Sequence, residues 1–346
     1  MKKIHYIGLA LLAFVLCCRW FTPVADFYAT RVYPLLSAGL SFSASVLPFS
    51  LEEIVVLGFV AAFIYVLVRT LAGKKSFWWY LGKNALVVMW LVVWLYMGWM
   101  GNYYRTPLRA RLEIPKVLFS EDAFNQFLYD YTDSLNDLHN NTRLPHPEVL
   151  EADIKAFYNE TLPSMGYTRL RSWQHPKKPL FNRLYSAVSV SGFMGPFFCE
   201  THVNLDVPEG DYPFTLAHEL AHLAGVTSEA EANYWAYAYC THSGQDALRF
   251  CGYYSIFPHV AVNVHSFMTE EYYAYWIKSI HPDIRDRYSR EQAYWDALRV
   301  PVIDRIQSWM MDASLRHNGI SSGAREYSEV VSLILTMEAW EKARQL

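Results

Sequence analysis

Residues 214–240 read FTLAHELAHLAGVTSEAEANYWAYAYC, and within them His218-Glu219-Leu220-Ala221-His222 spells H-E-x-x-H. On a helix, positions four apart share a face, so both imidazoles can reach one ion. Zinc takes neutral imidazole nitrogens at about 2.0–2.1 Å and prefers tetrahedral coordination. Glu219, one residue past the first ligand, directs its carboxylate toward a metal-bound water, where it takes the water's proton as general base. Thr215, Leu216, Ala217, Leu220, Ala221, Leu223 and Ala224 make this helix apolar nearly all round, hence buried. Two histidines and a glutamate are costly in such a helix without partners. The plain alternative is a chance match in an ordinary core helix. The apolar setting and the acidic helix that follows favour a site.

A catalytic zinc keeps three protein ligands and one open position. Gly225 lies where a metzincin helix would break, but that register puts the third ligand at Ser228 and fails. A second helix is expected from Ser228, and Ser228-x-x-Glu231 reads as a capping box in which Glu231 turns back to the Ser228 N–H. Glu229 and Glu231 differ by roughly 200° around the axis, so only one faces the histidines. Glu229 is taken as the third ligand and Glu231 is kept in reserve. Glu229-x-x-Ala232-Asn233 resembles the E-x-x-A-[DN] signature that many gluzincins carry on their second helix. That resemblance implies a zinc-binding role for Glu229 and makes Asn233 a group that orients a histidine. The linker from His222 to Glu229 is much shorter than in the best-known gluzincins.

Outward from the motif, Leu184–Val190 and Thr201–Val207 alternate as short strands around a loop, Ser191–Glu200. The stretch before the helix, from Gly195 to Asn204, is the candidate for pairing with extended substrate, against an ordinary edge strand with a Gly-Pro turn. Glu200 and His202 lack ligand spacing and are expected to line the site. For oxyanion stabilisation, Arg316-His317-Asn318-Gly319, Arg325-Glu326-Tyr327, His259 and His265 are candidates, each more often a surface or core group. With 25 tyrosines in the chain, no single tyrosine is singled out. After Phe214 the pattern is helical, with turns at His242–Gly244 and His317–Gly323.

Three segments toward the N-terminus read as membrane spans, at about 4–21, 51–70 and 84–104. Asn84–Tyr104 is uncharged between Lys83 and Arg105 and long enough for a hydrocarbon core of about 30 Å. Ser50 and Glu53 fit a capping box that starts the second span. Lys2 and Lys3 precede the first, which reads as an uncleaved anchor because no A-x-A site follows closely. The uncharged stretch Val32–Leu51 carries Pro34, Pro48 and several serines, and is read as a loop or interfacial segment. Lys2, Lys3, Arg69, Lys74, Lys75 and Lys83 fall in loops that the positive-inside rule assigns to the cytoplasm. Everything after Tyr104 is then outside it, with Arg105, Arg109 and Arg111 as a mild objection.

A hydrophobic content of 53% alongside 18% charged residues agrees with this division into anchor and water-soluble domain. A formal net charge of −3 supplies no basic field for nucleic acid. Five cysteines make no disulfide framework and match no zinc ribbon.

The whole arrangement resembles an uncharacterised bacterial family of membrane proteins in which N-terminal spans precede an H-E-x-x-H domain. The resemblance rests on Gly101-Asn102-Tyr103-Tyr104-Arg105, Gly195-Pro196-Phe197, His218 to Asn233, His317-Asn318-Gly319 and Gly323-Ala324-Arg325-Glu326-Tyr327. Gluzincin-like zinc metallopeptidases are similar more distantly. The expected fold is mainly α: three transmembrane helices (residues 1–104), then an α-rich zincin-like domain with a small β-sheet (residues 105–346). The expected function is zinc-dependent peptide hydrolysis at the outer face of a bacterial inner membrane, with a peptide or protein as substrate and the lipid bilayer as partner. Two alternatives stand beside it: a non-catalytic zinc-containing domain that binds peptides or envelope partners, and a metal-dependent amidase acting on cell-wall crosslinks. The intact Glu219 favours catalysis, since a scaffold needs no base beside its ligands.

Overall fold

The computed structural model describes residues 3–73, 76–114, 121–141, 143–318 and 329–344. Lys2, Lys74, Lys75 and the candidate Arg325-Glu326-Tyr327 lie outside the described residues, as does most of the turn expected at His317–Gly323. The chain is mainly helical. In order it runs α1 (Lys3–Trp20), α2 (Thr22–Phe27), α3 (Tyr33–Ser45), α4 (Leu51–Leu71), α5 (Phe77–Gly98), α6 (Leu108–Arg111), α7 (Glu121–Leu138), α8 (Pro147–Thr161) and α9 (Asn182–Ser186). The hairpin β1 (Gly192–Gly195) and β2 (Glu200–Val203) leads to α10 (Tyr212–Leu223), α11 (Glu229–Thr241), α12 (Asp246–Ser255) and α13 (Phe257–Phe267). Then follow α14 (Glu270–Ser279), α15 (Pro282–Leu298), α16 (Pro301–His317) and α17 (Val330–Arg344). Proline at the first helical residue of α8, α15 and α16 sets the backbone angle where its missing N–H costs nothing.

Three helices, α1, α4 and α5, are long and apolar enough to cross a membrane, which makes this a membrane-associated protein. The first two agree with the expected spans to within a residue. The third is shifted: the helix is Phe77–Gly98, not 84–104. Ser76 starts it early by accepting the Trp79 N–H at 3.2 Å, and Lys83 sits inside it, where a long side chain can reach toward water. At the other end, Trp99 leaves the helical conformation and Met100–Tyr104 form a 3₁₀ turn packed against α1 and α2.

Most of the stretch Val32–Leu51 is helical, as α3, rather than a loop, and it packs against α5. Of the serines that argued against a span, Ser37, Ser41 and Ser50 face inward. Ser41 accepts from Gln174 Nε2 at 3.0 Å and from Trp173 Nε1 at 3.2 Å.

The strand reading of Leu184–Val190 is also corrected. Asn182–Ser186 is a turn of helix held by Asp206, which accepts from Asn182 Nδ2 at 2.9 Å and Ser186 Oγ at 2.6 Å. The first strand instead lies in the expected loop, as Gly192-Phe193-Met194-Gly195 paired antiparallel to Glu200–Val203. Glycine at both its ends weakens the strand signature in sequence. Over so few residues, alternation does not separate a strand from one helical turn.

A candidate metal centre

The motif helix α10 is buried on nearly every side, as its composition requires. It ends at Gly225, whose φ of +99° is a left-handed conformation that glycine adopts freely. Groups from distant elements bond carbonyls in its middle and at its end. Tyr158 Oη donates to Ala217 O at 2.9 Å, Trp99 Nε1 to His222 O at 2.8 Å, and Tyr33 Oη to Leu223 O at 2.8 Å. The Trp99 indole also stands edge-on to the His222 ring, with centroids 5.6 Å apart. The end of the third span and the segment before the second therefore grip the helix that carries the histidines. Spacing in the sequence held no signal for Trp99 or Tyr33.

Ser228 caps α11, accepting the Glu231 N–H at 3.2 Å, and the short turn from Gly225 brings Glu229 back over the histidines. His218 Nε2 and His222 Nε2 are 3.0 Å apart, and Glu229 Oε2 lies 3.2 Å and 3.6 Å from them. Ligands about 2.0–2.1 Å from a tetrahedral ion stand roughly 3.3 Å from one another, so the three donors are spaced as one zinc needs. The far nitrogen of each ring is occupied: His218 Nδ1 meets Asn233 Oδ1 at 2.8 Å and His222 Nδ1 meets Val226 O at 2.8 Å. Both acceptors call for a proton on Nδ1, which leaves each Nε2 lone pair free for a metal. The structure thus brings together His218, His222 and Glu229, with Asn233 in the orienting position.

Glu231 is elsewhere. Its carboxylate accepts a short hydrogen bond from Tyr167 Oη, not from the Ser228 N–H that a full capping box requires. Arg105 and Arg111 lie over the Tyr167 ring at 4.7 and 4.5 Å. Burial raises the Glu231 carboxyl pKa, opposed by Tyr167 and these two arginines.

Glu219 is 4% exposed, and its Oε2 has no hydrogen-bond partner among the described residues. A buried carboxylate oxygen left open this way calls for a water or ligand. Its other oxygen faces β1 at close range. A Cβ at Gly192 would lie 2.8 Å from Glu219 Oε1 and Cγ, so only glycine lets the strand approach this closely. Burial pushes the Glu219 carboxyl up to about 7, with Glu229 adding to the rise and the two histidines opposing it. Burial works against a charged His222, yet contact with Glu229 outweighs it and raises the imidazole to about 9. The same contact holds Glu229 well below the usual carboxylate range, against its own burial.

Of the other candidates, His259 stands near the centre: burial, and secondarily the charge on His218, lower it to about 4. His317 and Asn318 do not approach the histidines; they bind Arg19, Tyr96 and Tyr104 at the ends of α1 and α5. His265 stands edge-on to Tyr273. Glu200 and His202 do not line the centre, contrary to expectation. His202 Nε2 meets Ser50 Oγ at 2.9 Å with its ring stacked on Phe193, and Glu200 takes the Lys177 ammonium and the Glu52 N–H. They fasten the hairpin to the start of α4. The turn Pro196–Cys199 is held there too, since Glu52 accepts from Phe197 N at 2.8 Å, so it offers no free edge. Another His/Asp group, His139, His281 and Asp283, sits at the start of α15, where His281 Nδ1 already accepts the Asp283 N–H at 3.3 Å.

Residues 28–335 match the family described as "Protein of unknown function (DUF3810)", and the chain belongs to that family. No curated protein and no solved structure matches it.

Proposed function

We propose that this member of the DUF3810 family is a zinc metallopeptidase of zincin-like, gluzincin-like type, with His218, His222 and Glu229 as metal ligands and Glu219 as general base. The observation that carries the reading is the unpartnered buried oxygen of Glu219 beside three donors spaced for one zinc. Zinc at such a centre lowers the pKa of a bound water and polarises a substrate carbonyl. The protein's own part is positional. Asn233 and Val226 hold the imidazoles, Gly192 gives Glu219 room, and Glu219 takes a proton and returns it to the leaving amine.

A cleft of about 400 Å³ runs beside the first turn of the motif helix, lined by Ser191, Phe214, Thr215 and Pro258 among others. Its size suits a few residues of an extended peptide. The test is cleavage of a peptide library by the full chain in nanodiscs. Hydrolysis should stop on chelation and return with zinc. A zinc-loaded protein that binds library peptides without cleaving any would favour the non-catalytic domain, and cleavage confined to cell-wall crosslinks would favour the amidase.

We place the protein in a bacterial inner membrane, with the body after Tyr104 in the periplasm, from the arginine and lysines flanking the second and third spans. A reporter fused after Leu346 should be active only outside the cytoplasm, and cytoplasmic activity would overturn this orientation.

A further inference from the structure

Helix α16 (Pro301–His317) has its polarity reversed relative to an ordinary surface helix. Val302, Ile306, Trp309 and Met310 form one stripe and are 68%, 56%, 72% and 59% exposed. The opposite side, turned toward the protein, carries Asp304, Gln307 and Ser314, with Met311 and Leu315 as its apolar members. Only Leu315 is buried within the helix. A surface helix in water places its apolar face on the core, so an outward stripe of this kind marks contact with something apolar.

The C-terminus of α16 is tied to the ends of two membrane helices, and its N-terminus to the segment after α9. At its C-terminus, Asn318 Oδ1 accepts from Tyr96 Oη at 2.9 Å and Tyr104 Oη at 3.1 Å, and His317 Nε2 meets Arg19 Nη1 at 2.8 Å. Tyr96 and Arg19 belong to the last turns of α5 and α1. At its N-terminus, Val300 N donates to Ala187 O at 2.8 Å. A few residues earlier, the N–H groups of Leu180 and Phe181 donate to Glu53 in the first turn of α4, at 2.7 and 3.0 Å. The three spans alternate in direction, so the end of α1, the start of α4 and the end of α5 all fall at one surface of the bilayer. A helix of this length covers about 25 Å. Its C-terminus is therefore fixed at that surface, and its exposed apolar stripe starts from there.

We propose that α16 is an interfacial helix that docks on the lipid bilayer, with Val302, Ile306, Trp309 and Met310 against the acyl chains at headgroup depth. Trp309 suits that layer, where an indole buries its ring and keeps its N–H wet. Arg305, exposed at the border of the stripe, is placed to meet lipid phosphate.

The test uses the full chain in nanodiscs of phosphatidylethanolamine and phosphatidylglycerol. Cys17 is the exposed native thiol and the other four are buried, so a Cys17→Ser background accepts single nitroxide labels at Ile306→Cys and Met310→Cys. Both positions are exposed, and two labels guard against a local failure to fold. Collisions with dissolved oxygen should rise, and relaxation by a water-soluble nickel chelate should be lost at both positions. Free access of the chelate would overturn the proposal. So would shielding from both reagents, and spin–spin broadening that vanishes on dilution with unlabelled chain would identify a second copy as the true occupant.

Discussion

Replacing Glu219 by glutamine is expected to lower peptide hydrolysis by about 10²–10⁴-fold, the range a general base contributes, while the protein keeps its full complement of zinc. Glutamine has nearly the same shape, so it fits the narrow space between α10 and Gly192. It cannot take the proton of the attacking water. Because Glu219 stands one residue off the register of the two histidines, its loss removes no ligand. Hydrolysis at the native rate by the zinc-loaded variant would assign the base to another residue, His259 first among them. Loss of zinc together with activity would show Glu219 to be structural.

The second large effect separates the two acidic residues of α11. Glu229→Ala takes a charged donor from a three-ligand centre, so zinc affinity should fall by more than the roughly 10–100-fold that loss of an outer-shell partner costs. Glu231→Ala should leave zinc bound. It strands the Tyr167 hydroxyl and removes the carboxylate beside Arg105 and Arg111, at a cost of about 1–3 kcal/mol of stability. Zinc titration of the two variants gives the answer, and the reverse outcome would place the ligand at Glu231. The same titration carries a pH signature. Without metal, Glu229 raises His222 to about 9, so at pH 7 the pair holds a proton that zinc must displace. Wild-type affinity should then rise about tenfold per unit toward pH 9 and level off above it, with about one proton released per zinc at pH 7. Glu229→Ala removes the cause of the raised pKa and should weaken that proton release.

The grouping of His218, His222 and Glu229 was legible because helix periodicity alone puts His218 and His222 on one face, and because two glutamates two apart cannot both face them. The capping box was legible only in part. Ser228 does cap α11, but Tyr167, more than sixty positions upstream, claims the Glu231 carboxylate, and no local pattern announces so distant a donor. The spans followed from length and apolar content, whereas the end of the third depended on Trp99 turning out of the helix to meet His222 O. The first strand was misplaced because four residues with glycine at each end carry almost no β signature, while alternation in Leu184–Val190 imitated one. Glu200 and His202 were drawn toward the centre by their chemistry alone. In the fold they face α4, because the hairpin is fastened to the membrane side of the body.

Trp99 and Tyr33 grip α10 from segments that lead into and out of the membrane, so the centre is best measured in the full chain, purified in detergent and dialysed free of loosely held metal. Its zinc content separates a metal centre from a chance match of the motif. One zinc per chain is expected for the wild type and for His139→Ala, and none for His218→Ala combined with His222→Ala. A wild type that holds no zinc, or a double variant that holds as much as the wild type, would contradict the metal centre.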